Sequence, residues 1–450
     1  MGETAVLSEF VATTTLEDVP EADIDHAKEA IRDYLGVAIF GSHHTVGDKI
    51  HRYVKTAADG MTGTVIGRTS ASPTGAALAN GTFGHAIDYD DTFESIVIHP
   101  TSPIFSAALA TTEHVDGSMR ECLTGYIIGC DVAYRVGQST YPEHYQNGWH
   151  ATGTIGPFGA TAAAASILGL QPAAIRRAFG ITGSASSSLK KNFGSMTKPL
   201  HAGHAAQTGV RAALLAADGF TADSDVFEGD LGYGSVMTVD SGFDPAELTD
   251  SLGDWWAVSD IGYKPYPSGV ITHAAMDALR ALVTENDLDP DEVGRIVVTL
   301  DDAASEMLIH AKPDDQLQAK FSIEFCLAAI LREGDAGIYE FTDDYVTAKR
   351  TRDVIEKVER AFEPDLFGDD YAGYGAIVRV ETTDGETFTA EERYAPGSPN
   401  NPLNESRLRD KYMECVESQF SSDRAVDIES TIRSLDQPES ITSLTNLLVE

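Results

Sequence analysis

Cysteine is scarce in this sequence, which has 4 cysteines among 450 residues. Cys122 and Cys130 are the nearest pair, Cys326 and Cys415 lie far from them, and no two form a Cys-x-x-Cys motif. Disulfide frameworks and iron–sulfur clusters need grouped cysteines. The sequence therefore predicts neither of them.

Basic residues are also few, with 32 Lys+Arg against 70 Asp+Glu and a formal net charge of -38. Nucleic acid and anionic membrane surfaces repel such a chain, so neither is expected as a partner. The acidic residues are spread among regular apolar positions, which is typical of a folded protein and not of a disordered tail. We expect a solvated acidic coat suited to a high-salt cytoplasm.

Long apolar runs are absent, whereas a helix that crosses a bilayer needs roughly 20 consecutive apolar residues. Glu3 stands where a signal or transit peptide would carry basic residues, and Val6 occupies the Ser/Thr position of a myristoylation motif. The expected address is the cytoplasm, without membrane attachment.

Length and periodicity predict a mainly α protein of two domains, because 450 residues exceed what one hydrophobic core usually organises. A helix is expected to begin at Pro20 and to stop at Gly41-Ser42. Between residues 75 and 220 most segments are Ala- and Gly-rich with helical spacing. Small residues let helices approach closely, so this region predicts a compact helical domain.

Strand patterns enter after residue 262. Arg295–Leu300 is β-branched, and Asp384-Gly385 joins two alternating runs, 377–383 and 386–390, as a β-hairpin. Helical patterns alternate with these strands at Thr272–Val283, Phe321–Leu331 and Arg352–Phe362. This combination indicates a small α+β domain.

The chain returns to helical spacing from Asn404, with Leu408, Tyr412, Cys415 and Val416 on one side. We therefore predict a helical domain over 1–262, an α+β domain over 263–400, and a C-terminal helical segment over 401–450 that packs back on the first domain.

Two segments combine histidine with acids or glycine. The run HAIDYDDT at 85–92, followed by HPTS at 99–102, lacks the EF-hand spacing of a calcium loop. A helix cap with exposed acids is the structural alternative. His150 in GWHATGTIG precedes a loop that opens onto a helix, a natural place for a carboxylate, although a lone histidine there can be purely structural.

Lys198 in MTKPLHAG and Lys264 in KPYPSG stand in Gly/Pro-rich apolar settings, although lysine is rare in this chain. A buried ammonium group needs a charge partner, which an anionic substrate or an ion pair with Asp88 or Asp90 would supply. The neutral and cationic candidates together indicate a site that attracts carboxylates. They are His99, His150, Lys198, His201, Lys264 and His273.

The ordered motifs HAIDYDDT, HPTS, GWHATGTIG, MTKPLHAG, KPYPSG and AKFSIEF resemble the MmgE/PrpD family over nearly the whole chain. That family includes 2-methylcitrate dehydratases, cis-aconitate decarboxylases and iminodisuccinate epimerases. The resemblance implies a large helical domain with a smaller α+β lid, and a site between them with Lys264 at the junction. It also implies a homodimer that acts on small polycarboxylates without a metal or organic cofactor.

The same resemblance implies the site residues. We assign catalysis to His99, His150, Asp88, Lys198 and Lys264, and substrate binding to Thr92, His201 and His273. The two catalytic histidines are expected to move protons at a carbon next to a carboxylate. The lysines and Thr92 would position the substrate, while Asp88 would orient a neighbour or tune its pKa.

Dehydration of the 2-methylcitrate type is the expected reaction, because hydro-lyase activity is the broadest in the family. Decarboxylation, epimerisation and a non-catalytic carboxylate-binding scaffold stay open as alternatives. The stretch TFESIVIHP at 92–100 lacks the longer Trp-Gly-His-Pro-Ser-Asp pattern of 2-methylcitrate dehydratases. GWHATGTIGPFGA with NFGSMTK is instead similar to the epimerase branch.

Overall fold

The structure is a computed structural model that describes residues 2–58, 60–239, 242–302, 307–364, 366–368 and 373–449. Most of these residues lie in helices, which confirms the predicted mainly α class. Within the described ranges, no helix is both long enough and apolar enough to cross a lipid bilayer.

The first part of the chain is helical apart from a small ribbon of two strands, β1 (Gly63–Thr64) and β2 (Ser70–Ala71). Its α-helices are α1 (Glu3–Thr13), α2 (Glu21–His43), α3 (Thr45–Ala57), α4 (Pro73–Gly84), α5 (Thr101–His114), α6 (Met119–Gln138), α7 (Glu143–Gln146), α8 (Ala151–Thr154), α9 (Gly156–Ile167), α10 (Pro172–Gly183), α11 (Thr197–Ala217) and α12 (Tyr233–Met237). Short 3-10 helices span Leu16–Asp18, Glu94–Ile96, Lys190–Asn192, Pro245–Leu248, Ala257–Asp260 and Val270–Thr272.

The second part combines helices with a sheet. The helices are α13 (His273–Asn286), α14 (Gln316–Ala319), α15 (Ile323–Glu333), α16 (Asp343–Thr347), α17 (Lys349–Ile355), α18 (Glu405–Glu417), α19 (Ser422–Arg433) and α20 (Thr442–Thr445). The strands are β3 (Val293–Asp301), β4 (Val358–Glu363), β5 (Ala376–Thr382) and β6 (Thr387–Glu392).

These four strands form one sheet in the order β4-β3-β5-β6. The β3–β4 pair is parallel, and the other two pairs are antiparallel. The predicted hairpin at Asp384-Gly385 is confirmed, and Gly385 supplies the turn with a φ of +98° that few other residues adopt. Helices α13 and α15 pack on the sheet.

Two large hydrophobic cores contain most of the buried apolar side chains of the described residues, and a small third cluster consists of Val37, Ile87, Tyr89, Ile338 and Cys415. One large core draws its members from residues 7–261 and 412–448, and the other from residues 266–380. Ile261 belongs to the first core and Tyr266 to the second, so Lys264 lies in the short segment between them.

Glycines bring α4 and α11 unusually close. A Cβ atom placed on Gly81 would lie 2.9 Å from the Cα of Gly203 and 3.0 Å from the carbonyl oxygen of Ala202. Real side chains do not tolerate such contacts without a shift of the backbone. Since α4 ends immediately before His85 and Lys198 lies in the first turn of α11, this packing sets the distance between two parts of the site.

Two predicted element boundaries are wrong. The helical pattern at Arg352–Phe362 divides into α17, which ends at Ile355, and strand β4, because Val358 pairs with Ile296 of β3 and tertiary pairing overrides the local pattern. Helix α2 also continues through Gly41-Ser42 to His43. Gly41 serves close packing there, against the carbonyl group of Phe83.

Helix α18, in the C-terminal segment, contacts both α2 and the segment that follows α4. Its residues Tyr412, Cys415 and Val416 are buried, and it packs on α2. The Nζ of Lys411 donates a hydrogen bond of 2.7 Å to the carbonyl oxygen of Tyr89 and lies 2.6 Å from Oδ1 of Asp33 on α2. The segment after α4 is therefore tied to the last third of the fold.

Candidate active site

The segment from His85 to Thr92, which follows α4, forms the centre of the site. Its three aspartates are buried, with Asp88 3% exposed and Asp90 and Asp91 0% exposed. The interpretation of this segment as a cap with exposed acids is therefore wrong. Asp88 adopts a left-handed backbone conformation with a φ of +59°, which aspartate tolerates better than most residues.

Asp88 is held by two buried lysines. The Nζ of Lys198 lies 2.5 Å from its Oδ2, and the Nζ of Lys264 lies 2.6 Å from its Oδ1. Burial alone would raise the pKa of the Asp88 carboxyl, but the two ammonium groups hold this pKa well below its usual range. The ion pair considered as an alternative from the sequence is thus present. Asp88 therefore balances one of the two ammonium charges, and the other, partly offset by the nearby carboxylate of Asp90, is available to a substrate carboxylate.

Asp90 organises two histidines. Its Oδ1 lies 2.9 Å from Nδ1 of His85 and 3.4 Å from Nδ1 of His99, and its Oδ2 accepts a 2.6 Å hydrogen bond from Ser102. These partners overcome the effect of burial and hold the pKa of Asp90 below its usual range. Asp91 differs, because burial raises its pKa well above the usual range while Thr101 donates to its carboxylate.

The surroundings of His99 set the tautomer of its ring. Nδ1 lies 3.0 Å from the carbonyl oxygen of Asp91, an atom that can only accept, so this nitrogen carries the hydrogen. Nε2 is then unprotonated and lies 3.7 Å from Oδ1 of Asp88. Burial, followed by the charge of Lys264, lowers the pKa of His99 well below its usual range. A neutral ring with a bare nitrogen at the cavity is suited to act as a general base.

His150 and His201 form a hydrogen-bonded pair, with their Nδ1 atoms 2.9 Å apart. Burial and the charge of Lys198 lower the pKa of His150 well below its usual range, and burial lowers the pKa of His201 to about 4. His150 lines the cavity at Asp88, whereas His201 lines a separate cavity.

Most of the predicted site residues converge on one cavity. Its predicted members are Asp88, Thr92, His99, His150, Lys198 and Lys264. His273 is fully buried beside it, with Nε2 3.3 Å from the carbonyl oxygen of Ser268, but does not line it. Thr92 exchanges two backbone hydrogen bonds with Gly262, of 2.9 and 2.8 Å, and these hold the two cavity-lining segments together.

The sequence reasoning missed several lining residues, and most of them are apolar or aromatic. They are Phe93, Glu94, Val97, Tyr145, Phe193, Gly269, Val270, Met307, Phe321 and Tyr374. The rings of Phe193 and Phe321 stack with centroids 5.6 Å apart, and the Nζ of Lys198 lies 5.2 Å from each centroid. Cation–π contacts of this kind help to hold a buried ammonium group.

Lys320 is a third lysine that the sequence reasoning did not single out. It is 3% exposed, and its Nζ donates a 3.1 Å hydrogen bond to the carbonyl oxygen of Ala86. Burial, together with the charges of Lys198 and Lys264, lowers its pKa to about 7. It lies in the motif AKFSIEF, where its apolar neighbours and the rarity of lysine are the same signals that indicate Lys198 and Lys264.

Asp88 and three neighbouring side chains have the donor types of a metal site. Donor atoms of His85, Asp88, Asp90 and His99 lie within 4.8 Å of one another. Both oxygens of Asp88 are already engaged by the ammonium groups of Lys198 and Lys264, however, and these would repel an added cation. The donor set therefore fits a metal ion poorly.

Fold and site together define a class: mainly helical proteins in which a buried cavity gathers lysines, neutral histidines and an aspartate next to a segment that joins two hydrophobic cores. The MmgE/PrpD N-terminal domain family matches residues 5–246, and the MmgE/PrpD C-terminal domain family matches residues 266–437. The chain belongs to the MmgE/PrpD family.

Curated relatives match almost the whole chain. A cis-aconitate decarboxylase of Mus musculus is 28% identical over 440 residues, which cover 94% of this chain and 89% of the relative. The cis-aconitate decarboxylase of Homo sapiens is 27% identical, covering 94% and 90%. A cis-aconitate decarboxylase of Aspergillus terreus is 25% identical, covering 99% and 96%.

Proposed function

We propose that this protein is a lyase that acts on small polycarboxylates, and that decarboxylation of an unsaturated tricarboxylate such as cis-aconitate is its reaction. The observation that carries the proposal is the cavity in which His99 and His150 flank the Lys198–Asp88–Lys264 cluster. The similarity to cis-aconitate decarboxylases over 94% or more of the chain supports this reaction over others of the family.

In this reaction the lysines would bind the substrate carboxylates. When the C–C bond breaks and CO2 leaves, the electron pair remains on the substrate as an enolate-like system, and the ammonium groups of Lys198 and Lys264 offset its charge. A proton must then be added to carbon. His150 is suited to donate this proton, because its Nδ1 is engaged with His201 and its Nε2 is the remaining ring nitrogen.

Dehydration of the 2-methylcitrate type is the second candidate, and one observation favours it. The bare Nε2 of His99 fits removal of a proton from the carbon next to a carboxylate, a step that dehydration needs and decarboxylation does not. The same lysines would stabilise the resulting enolate. The epimerase alternative is tested separately, by measuring whether the protein racemises an aspartate-derived imine.

The test is incubation of the purified protein with cis-aconitate, citrate and 2-methylcitrate. Release of CO2 from cis-aconitate is the expected result. Formation of an absorbing unsaturated product from citrate or 2-methylcitrate without CO2 would instead support a dehydratase. Binding of all three acids with no turnover would contradict the lyase proposal and favour a carboxylate-binding scaffold.

A further inference from the structure

We propose that His201 relays protons between His150 and the solvent through a second cavity, separate from the one that holds the substrate. The inference rests on the proposed function, because it assigns the proton supply of the same site. The sequence had suggested that His201 contacts the substrate, and the structure points to a different use.

The two rings are placed for direct proton transfer. Nitrogen atoms 2.9 Å apart share one hydrogen, so one ring donates an N–H and the other accepts it. The backbone holds His150 in place, since its N–H donates a 3.1 Å hydrogen bond to the carbonyl oxygen of Ser188. His201 lies on α11, one turn after Lys198.

The ring of His201 lies at a different cavity from the one that His150 lines. It lines a cavity of about 610 Å³ together with Tyr53, Leu189, Asn192 and His204. The two cavities have no lining residue in common among the described parts of the chain, and residues 188–193 separate them, with Asn192 on one side and Phe193 on the other. Water in the second cavity can reach His201 while a substrate fills the first.

Such a route would deliver to His150 the proton that each turnover consumes. Each decarboxylation consumes one proton, yet His150 is buried and faces buried ammonium groups, which repel a hydronium ion that approaches through the substrate cavity. The second cavity avoids these charges.

The transfer balances in three steps. A water-borne acid protonates Nε2 of His201, and the ring passes its Nδ1 hydrogen to Nδ1 of His150. His150, now carrying hydrogens on both nitrogens, gives its Nε2 hydrogen to the substrate carbon. One proton has moved from the solvent to carbon, and both rings end neutral in exchanged tautomers. Rotation of both rings about their Cβ–Cγ bonds after product release returns an N–H to the substrate side of His150 and a bare nitrogen to the solvent side of His201, and no proton passes through the substrate cavity.

The decisive variant is His201→Asn. An asparagine amide can donate to Nδ1 of His150 from nearly the same position, so it preserves the hydrogen bond but cannot pass a proton on. We expect kcat to fall on the order of 10²-fold, as for loss of an acid–base group, with KM changed by less than about twofold. An unchanged kcat would overturn the relay, and so would a raised KM with kcat unchanged, which indicates a substrate contact.

His204→Asn is the matched control. His204 lines the same cavity on the same helix, but its ring interacts with the backbone of Ala185. We expect wild-type kcat and KM for this variant. In His201→Gly, which opens a space next to His150, added imidazole should restore kcat in proportion to its concentration. No rescue in a variant that melts like the wild type would count against the relay.

One measurement is independent of the reaction. In protein with 15N-labelled histidine, we expect a coupling across the hydrogen bond between the Nδ1 atoms of His150 and His201, which His201→Asn removes. If the wild type turns over none of the acids but shows this coupling, the proposed function fails while the relay geometry stands. Absence of the coupling in the wild type overturns the relay whatever the substrate is.

Discussion

His99 is the side chain whose contacts most directly fix its chemical state, with Nδ1 committed to the carbonyl oxygen of Asp91 and Nε2 left for the cavity. In His99→Asn the base is lost, so we expect kcat to fall by about 10² to 10⁴-fold, the usual range for a general acid or base. Steady-state kinetics with the preferred acid provide the measurement. His114→Asn, at an exposed histidine of α5, should behave as the wild type. A His99→Asn protein with wild-type kcat would contradict the assignment.

The pH dependence of substrate binding follows from Lys320 and Glu94. The ammonium group of Lys320 has a pKa lowered to about 7, so its positive charge is present below pH 7 and is lost above it. Burial raises the pKa of Glu94 to about 7, so this cavity-lining group becomes negative over the same range. Both changes repel an anionic substrate, and KM should rise by up to about tenfold per titrating group between about pH 6 and about pH 8.

Single variants separate the two contributions. Lys320→Met should remove one part of the rise in KM and Glu94→Gln the other, and the double variant should show a nearly flat profile. The neighbouring histidines do not interfere, because burial lowers the pKa values of His99 and His150 well below their usual range. A rise that persists in the double variant would show that other groups control binding.

At the residue scale, the sequence could indicate which side chains matter but not what each one faces. Lys198 and Lys264 stood out because lysine is rare and their settings are apolar, and both do reach Asp88. That His201 faces a second cavity depends on the direction of its side chain from α11, and no local pattern encodes this direction. The two histidines held by Asp90 likewise meet only when the segment after α4 folds back on α5.

Among the elements, the contact between α4 and α11 has the most direct effect on the site. In Gly203→Ala the new methyl group would clash with two atoms of the facing turn of α4, the carbonyl oxygen of Leu78 and the side-chain hydroxyl of Thr82. It would also lie 3.0 Å from the backbone nitrogen of Thr82. We expect a loss of about 1 to 3 kcal/mol in the free energy of unfolding, as for other overpacked cores. Because the two helices carry opposite sides of the site, kcat should also fall by about tenfold or more.

Thermal melting and steady-state kinetics test this prediction. Gly294→Ala in β3 is the control, since its new Cβ atom would meet its nearest neighbours at 3.4 to 3.7 Å, an ordinary contact distance. Unchanged stability and kcat in Gly203→Ala would mean that α4 and α11 can separate without disturbing the cavity.

Local turn and helix signals predicted the elements well where neighbours in sequence decide the structure. The hairpin at Asp384-Gly385 is an example, because its turn chemistry is contained in adjacent residues. Strand β4 was missed because its pairing partner, β3, lies far earlier in the chain, and the residues from Val358 carry no alternation strong enough to reveal it. Pairing between distant segments is invisible to a local pattern.

For the whole molecule, the net charge of -38 is the dominant property. Mutual repulsion of surface acids opposes the compact state, and salt weakens it, since the screening length falls from about 10 Å at 0.1 M to about 3 Å at 1 M. We therefore expect the melting temperature to rise with KCl concentration. Sucrose at equal osmolality, which does not screen charge, provides the comparison. A melting temperature that is flat or falls in KCl would contradict an acidic coat adapted to salt.

The hydrogen bond from Lys411 to the carbonyl group of Tyr89 has a consequence for biosynthesis. The ribosome makes every cavity-lining residue before it makes α18, yet that helix supplies one of the hydrogen bonds that hold the loop from Asp88 to Asp90, beside the contacts of Asp88 with Lys264 and of Tyr89 with the carbonyl oxygen of Pro265. While α18 is still unmade, the nascent chain therefore lacks the Lys411 hydrogen bond to this loop, and a proteolytic cut that releases α18 from a finished molecule would remove the same hydrogen bond.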